Sequence, residues 1–473
     1  ETAPSVDGVS LKIDKGETVV LCGESGCGKS TMTRLINGLI PHFHEGKLGG
    51  EVLYDGKRTM DMRLYELSEH VGSVFQDPRT QFYNVESTVE LAFGCENLGV
   101  PPEEIEQRIT RTATRFGLEE LLDRNLFAMS GGEKQRIACG SVDATNPETL
   151  VLDEPSSNLD LFAIHDLAQV VQRWRDDGKT LVIAEHRIFY LVDLADRFIY
   201  IRDGRIEREF RPDELRTLSP EALEDLGLRA PDPWKLAPRA EARGSGESLS
   251  LRSLKCITRG RRRLSIPELT LPRGEIIAVI GRNGAGKTTL ARTLCGLEKT
   301  GSGVLGIDGA THDIRKRRDL VYMVMQDVNH QLFTEDVISE LLLSMDGTDP
   351  DAEQKRAMEI LRSLDLDDKS GRHPMSLSGG EQQRVAIGSA IAAGREILIL
   401  DEPTSGLDHK RMTQVADYLT AMSADGKTVL VITHDIELVL RCCSHAIYLV
   451  DGEVAQKSRM DETGAQQLRE FFE

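Results

Sequence analysis

Short apolar runs that stop at a glycine, an acid or a histidine punctuate this chain, and they occur in pairs. Thr18-Val-Val-Leu-Cys22 and Ile276-Ile-Ala-Val-Ile280 each lead through a Gly-rich loop into a stretch that reads as a helix. Leu150-Val-Leu-Asp153 and Ile397-Leu-Ile-Leu-Asp401 run into Glu-Pro, while Leu181-Val-Ile-Ala-Glu-His186 and Leu430-Val-Ile-Thr-His434 end on histidine. Continuous apolar runs of this length predict parallel strands buried on both faces, with helices between them. Val74-Phe-Gln76 and Val324-Met-Gln326 add strands that end in glutamine, and acidic, amphipathic sequence follows at Glu86 to Phe93 and Glu335 to Leu342. The predicted fold class is α/β, written twice.

Spacing supports the duplication. Lys29 and Lys287 lie 258 positions apart (287 − 29), whereas Ser130 and Ser378, Asp153 and Asp401, and His186 and His434 are each separated by 248 (378 − 130 and its equivalents). The constant later offset places the length variation early in each half. At 473 residues the chain is too long for one core and suits two domains. The expected division is 1–211, a linker 212–250 rich in proline and glycine, and 251–473. The first strand is expected to be cut short, because Glu1 stands so near the first glycine loop.

The glycine loops carry the first chemistry. Gly23-Glu-Ser25-Gly26-Cys27-Gly28-Lys29-Ser30-Thr31 and Gly281-Arg-Asn283-Gly284-Ala285-Gly286-Lys287-Thr288-Thr289 are complete phosphate-binding loops in strand-to-helix context. Glycines let backbone N–H groups and the helix dipole converge on an anion; Lys29 and Lys287 supply charge for the β- and γ-phosphates. The hydroxyls of Ser30 and Thr288 suit Mg²⁺. Downstream, Ser130-Gly131-Gly132-Glu133 and Ser378-Gly379-Gly380-Glu381 open helices and offer a second anion-binding helix end. Asp153 and Asp401 suit Mg²⁺ through water, Glu154 and Glu402 suit polarising an attacking water, and Gln76 and Gln326 reach both ion and water. His186 and His434 complete each set, and ATP with Mg²⁺ is the expected cofactor pair.

This ordered set, present twice, resembles two ATP-binding cassettes of the ABC ATPase superfamily fused in tandem. The resemblance makes the Ser-Gly-Gly segments the signature, Asp160 and Asp408 the D-loop acids, and the histidines the γ-phosphate switch. It also implies that ATP on Lys29 is covered by Ser378, Gly379 and Gly380, and ATP on Lys287 by Ser130, Gly131 and Gly132. Neither catalytic Glu, switch His nor signature Ser is replaced, so two hydrolysis-competent sites are expected.

A narrower resemblance rests on Gln76-Asp-Pro-Arg-Thr-Gln81-Phe82-Tyr83 and Gln326-Asp-Val-Asn-His-Gln331-Leu332-Phe333, on Asn37-Gly-Leu-Ile-Pro41 and on Ala184-Glu-His-Arg187. These look like the ATPase subunits of energy-coupling factor (ECF) importers. Gln81, Phe82, Gln331, Leu332 and Phe333 would then face a transmembrane coupling subunit that works with a small membrane substrate-binding subunit. The implied function is uptake of a vitamin or other micronutrient, at the cytoplasmic face of a prokaryotic membrane. Arg79, Thr80, Val328 and His330 depart from the more acidic form of that segment. The twin ATPase of a sugar or peptide importer shares every core residue, and a ribosome-acting twin-cassette factor would carry a longer, charged helical linker.

Composition narrows the partners. A net charge of −19 opposes broad nucleic-acid contact, and eight scattered cysteines without zinc spacing read as reduced and cytosolic. No apolar run approaches the roughly 18 residues of a spanning helix, and no signal peptide opens the chain. His42 and His44 read as loop residues rather than metal ligands. The basic runs Arg259 to Arg263 and Arg315 to Arg318 read as solvated faces. By the family resemblance Thr258 and Arg259 stand where an aromatic usually stacks on adenine, so an Arg guanidinium would have to replace it.

Overall fold

The computed structural model describes residues 4–239, 248–258, 261–307, 309–313, 317 and 319–472. Contacts divide the chain into two compact units, Glu1–Pro233 with Gly406–Lys410, and Trp234–Ser405 with Arg411–Glu473. Each holds a six-stranded sheet of one topology. In the first unit the spatial order is Val71–Val74, Thr149–Asp153, Thr180–Ala184, Thr18–Cys22, Arg197–Arg202, Arg205–Phe210. In the second it is Val321–Val324, Ile397–Asp401, Thr428–Ile432, Ile276–Ile280, His445–Val450, Glu453–Arg459. Five strands are parallel and the sixth pairs antiparallel at the edge.

The central strands Thr18–Cys22 and Ile276–Ile280 are buried at every position, which is why their sequences do not alternate. Because the strands are parallel, the loops after Cys22, Asp153 and Ala184 emerge at one edge, the C-terminal edge where α/β sheets bind ligands. The helix Gly131–Thr145 stops at Asn146 and Gly379–Ala393 at Gly394, both in the left-handed conformation that ends helices. The acidic segments form the helices Ser87–Asn97 and Val337–Leu342.

The units differ at their antiparallel parts. The second contains a four-stranded sheet, Arg261–Pro272, Ser248–Thr258, Gly301–Ile307 and Ala310–His312; the first shows the two-residue hairpin strands Leu53–Tyr54 and Lys57–Arg58. Sheet structure of the second cassette thus begins at Ser248, inside the stretch read as linker. The extension forms short helices, Pro212–Arg216 and Pro220–Asp225, and Trp234 lies with its ring centroid 6.3 Å from that of Phe472.

One reading of the basic runs is corrected. Arg317 is fully buried, and its guanidinium donates to the main-chain carbonyls of Thr293, at 3.4 Å, and of Gly303. A buried guanidinium needs such acceptors, and these lie at the end of one helix and in a strand. Arg259 and Arg315 fall outside the described residues. Among the described residues no helix is long and apolar enough to cross a membrane.

Candidate active sites

Each phosphate loop is closed by its own lysine. Lys29 Nζ donates to the carbonyls of Gly23 at 2.9 Å and Glu24 at 3.0 Å; Lys287 Nζ donates to those of Gly281 at 2.6 Å and Arg282 at 3.2 Å. Gly28 and Gly286, with φ of 110° and 101°, start the following helices. A Cβ on Gly28 would stand 2.7 Å from the Ser5 carbonyl oxygen, so this position requires glycine on steric and conformational grounds alike.

Beside each lysine a hydroxyl meets a carboxylate. Ser30 Oγ donates to Asp153 Oδ1 at 2.9 Å, and Thr288 Oγ1 to Asp401 Oδ2 at 3.0 Å. Burial raises both aspartate carboxyls above their ordinary value, opposed by those hydroxyl bonds. Two adjacent hard oxygen donors suit Mg²⁺, which takes few protein ligands and fills its octahedron with phosphate oxygens and water. Among the described residues no three His, Cys, Asp or Glu side chains gather as a metal-ligand set.

The residue just after each strand is held in a conformation that most residues avoid. Glu154 and Glu402 have φ of 45° and 49°, and their N–H groups donate to the carbonyls of Ala184 and Ile432 at 2.8 Å each. Left-handed backbone costs roughly 1–3 kcal/mol at a non-glycine and persists where neighbours enforce it. Here the bond to the adjacent strand enforces it, and the turn brings the Glu side chain to the switch histidine. His186 Nε2 lies 3.2 Å from Glu154 Oε1, and His434 Nε2 lies 3.5 Å from Glu402 Oε1. Gln76 Nε2 donates to the other Glu154 oxygen at 2.9 Å. Burial alone would push the Glu154 carboxyl up, but the His186 hydrogen bond and charge, with Lys29, hold it below the usual value.

The signature serines stand at the N-cap positions of their helices. Ser130 N–H donates to Glu133 Oε2 at 2.7 Å and Ser378 N–H to Glu381 Oε2 at 2.8 Å. Ser130, Gly131, Ser378 and Gly379 are exposed, leaving the helix starts open, whereas Gly380 is buried. Asp160 caps Leu161–Asp176 by accepting from Ala163 N–H at 2.8 Å; Asp160 and Asp408 are both buried.

The segment expected to face a partner is arranged differently from the sequence reading. Gln81 turns inward, accepting from Phe75 N–H at 3.2 Å and donating to the Ala138 carbonyl at 3.2 Å; Gln331 does the same with Met325 N–H and the Met323 carbonyl. Phe82 packs on the core and Leu332 is buried. Phe333 is 73% exposed, and so is a residue the expectation left out, Tyr83, at 78%. The inward glutamines brace the turn, and the aromatic two positions later faces out. Glu90 and Glu340 were also missed: each is a buried carboxylate that accepts the N–H groups of Tyr83 and Asn84, or of Phe333 and Thr334. Their shared spacing of nine from Gln81 and Gln331 was the available signal.

Glu185 is a fourth residue whose role sequence reasoning passed over. Its buried carboxylate accepts four hydrogen bonds around the first switch loop. The segment Ala184-Glu-His-Arg187 includes it, but the repeat gives it no role, because its counterpart is Thr433.

Comparison with known proteins agrees with the repeat. The family described as ABC transporter matches residues 6–157 and again 264–405. A Treponema denticola protein named "Putative ABC transporter ATP-binding protein" is 42% identical over 457 residues, covering 95% of this chain and 92% of the relative. A Methanosarcina mazei protein of the same name is 34% identical over 94% of this chain and 84% of its own length. Among solved structures, the fold is similar to one titled "Model of ribosome-bound archaeal Pelota and ABCE1", at a TM-score of 0.71 and 23% identity over 98% of this chain and 78% of that one. At that identity the likeness is one of fold. The chain therefore belongs to the ABC transporter ATP-binding family, as two cassettes in tandem, and is an ATPase.

Proposed function

We propose that this protein is the twin ATPase of an ABC transporter and hydrolyses ATP in both cassettes to drive membrane-spanning partner chains. The observation that carries this reading is the complete set of Lys, Ser or Thr, Asp, Glu and His at the same strand ends of each unit. Lys29 and Lys287 would hold the β- and γ-phosphates. Ser30, Asp153 and Gln76, and in the second cassette Thr288, Asp401 and Gln326, would hold Mg²⁺, which supplies charge neutralisation for phosphoryl transfer. Glu154 and Glu402 would take a proton from the attacking water, with His186 and His434 orienting them from 3.2 and 3.5 Å. That each nucleotide is also covered by Ser130 or Ser378 of the other cassette is an expectation of the family resemblance.

Transport is supported by the names of the relatives, and coupling to a partner by the exposed aromatics Tyr83 and Phe333. Within transporters the two Gln segments favour an ECF-type importer of a micronutrient. A sugar or peptide importer would use the same core residues. A factor acting on ribosomes is the rival that the shared fold allows. Purifying the tagged protein from detergent-solubilised membranes of its host separates them. A coupling subunit with a small membrane binding subunit supports the ECF reading, a pair of permeases replaces it with another importer, and ribosomal proteins overturn transport.

A further inference from the structure

The first cassette holds its switch histidine with a carboxylate that the second cassette lacks. Glu185 Oε1 accepts from His186 N–H at 2.8 Å and Arg187 N–H at 3.2 Å; Oε2 accepts from Tyr190 Oη at 2.9 Å and from Ser156 N–H at 3.3 Å. Glu185 is 1% exposed and Ser156 fully buried, so these bonds form away from solvent. Ser156 is two residues beyond Glu154, and His186 follows Glu185 directly. One side chain thus ties the strand end carrying the histidine to the turn carrying the glutamate. In the second cassette Asp435 makes the corresponding tie, accepting from Thr404 Oγ1 at 2.8 Å, while Thr433 accepts from Asp435 N–H at 3.0 Å.

We infer that Glu185 is a positioning residue for hydrolysis in the first cassette, fixing His186 against Glu154 through the backbone of both loops. This rests on the proposed roles of Glu154 and His186. A displacement of about 1 Å at a reacting group is enough to cost up to 10²-fold in rate. Glu185→Thr introduces the residue type of the second cassette and removes the carboxylate that accepts from all four donors. Adding Arg187→Asp supplies the acid that the second cassette uses, with the Ser156 hydroxyl available in place of that of Thr404.

The test uses the full chain carrying Glu402→Gln, so that remaining turnover reports on the first cassette, and measures kcat and KM for MgATP. If Glu402→Gln alone stops turnover, the sites are coupled, and the same variants in the otherwise native chain report on the first site directly. Glu185→Thr is expected to lower kcat about tenfold with KM within about twofold, and Glu185→Thr with Arg187→Asp to recover most of it. An unchanged kcat in Glu185→Thr, or a loss that the paired exchange does not recover, overturns the inference. His186→Ala separates the two levels. If it retains native turnover, the role of His186 fails and that of Glu185 with it; if it loses turnover while Glu185→Thr does not, only the positioning role fails.

Discussion

In the first cassette the residue before the switch histidine is Glu185 and the one after it Arg187; in the second these are Thr433 and Asp435, and the backbone follows the difference. Asp435 caps the helix Ile436–Cys442, accepting from Leu438 N–H at 3.3 Å. Arg187 has no oxygen with which to cap, and the chain there makes only the 3-10 turn Ile188–Tyr190. Yet the histidine-to-glutamate distances come out at 3.2 and 3.5 Å. The groups proposed to react are alike and their supports are not, so the two can be perturbed separately.

The strongest test of the alike part is Glu154→Gln with Glu402→Gln, expected to lower ATP hydrolysis by about 10²-fold or more while ATP binding persists. Measured turnover near the native rate would remove both glutamates from the mechanism. The single exchanges sharpen it: complete loss from either shows obligatory coupling, and no loss from Glu154→Gln shows a silent first cassette.

The outer faces differ more than the sites do. Tyr83 stacks on Phe93 with centroids 4.7 Å apart, and Val85, Val89 and Phe127 are exposed beside it. At the corresponding positions of the second cassette the exposed apolar residues are Phe333, Leu343 and Met375, with Glu335 and Ser339 at the positions of Val85 and Val89. If both faces meet partner chains, Tyr83→Ala should reduce transport severalfold, and more than Phe333→Ala does, because its face is the more apolar. Basal ATPase should stay within about twofold in both. Transport assays in reconstituted vesicles decide it, and equal losses would show that the extra apolar residues are not used.

A smaller effect is expected at Tyr190. Its hydroxyl donates to Glu185, and burial pushes that phenol well above its ordinary value, so it stays protonated as a donor at working pH. Tyr190→Phe removes one of four bonds and should lower kcat of the first cassette about two- to threefold. The matching exchange has no target in the second cassette, where Leu438 occupies the position.

Much of this comparison was readable in the sequence, and the unread part has physical causes. Runs such as Ile276–Ile280 announce buried parallel strands because both faces are covered, and Lys29, Asp153, Glu154 and His186 could be singled out because the chemistry proposed for them restricts residue type. Glu185 escaped because a hydrogen-bond support can be built from different residues, and only the folded loops show which one does it. The sequence singles out Gln81 but not its direction: a glutamine at a turn bonds backbone as readily as a partner, and spacing does not tell inward from outward. Arg317 failed for a similar reason, since a basic run usually lies in water unless carbonyls are presented to it.

The smallest contrast lies at the signature helices. Glu133 faces Arg124 at 3.7 Å, whereas Glu381 forms a close ion pair with Lys369. Burial alone would raise the Glu381 carboxyl, but Lys369 and the Ser378 N–H and hydroxyl bring it down to about 2; Glu133 is also lowered, by Ser130 and the nearby arginines against burial. A carboxyl depressed on folding stabilises the native state above its unfolded value near 4.3, and that stability is lost as pH falls toward about 2. Solvent screening leaves about 1 kcal/mol at neutral pH, or about 2–4 °C in the melting temperature of a domain this size. Glu381→Gln should therefore lower the calorimetric midpoint at pH 7 by that amount and by about half of it at pH 3, with Glu133→Gln shifting it less at both. Equal shifts at the two pH values would mean that packing of the side chain, and not its charge, supports the second signature helix.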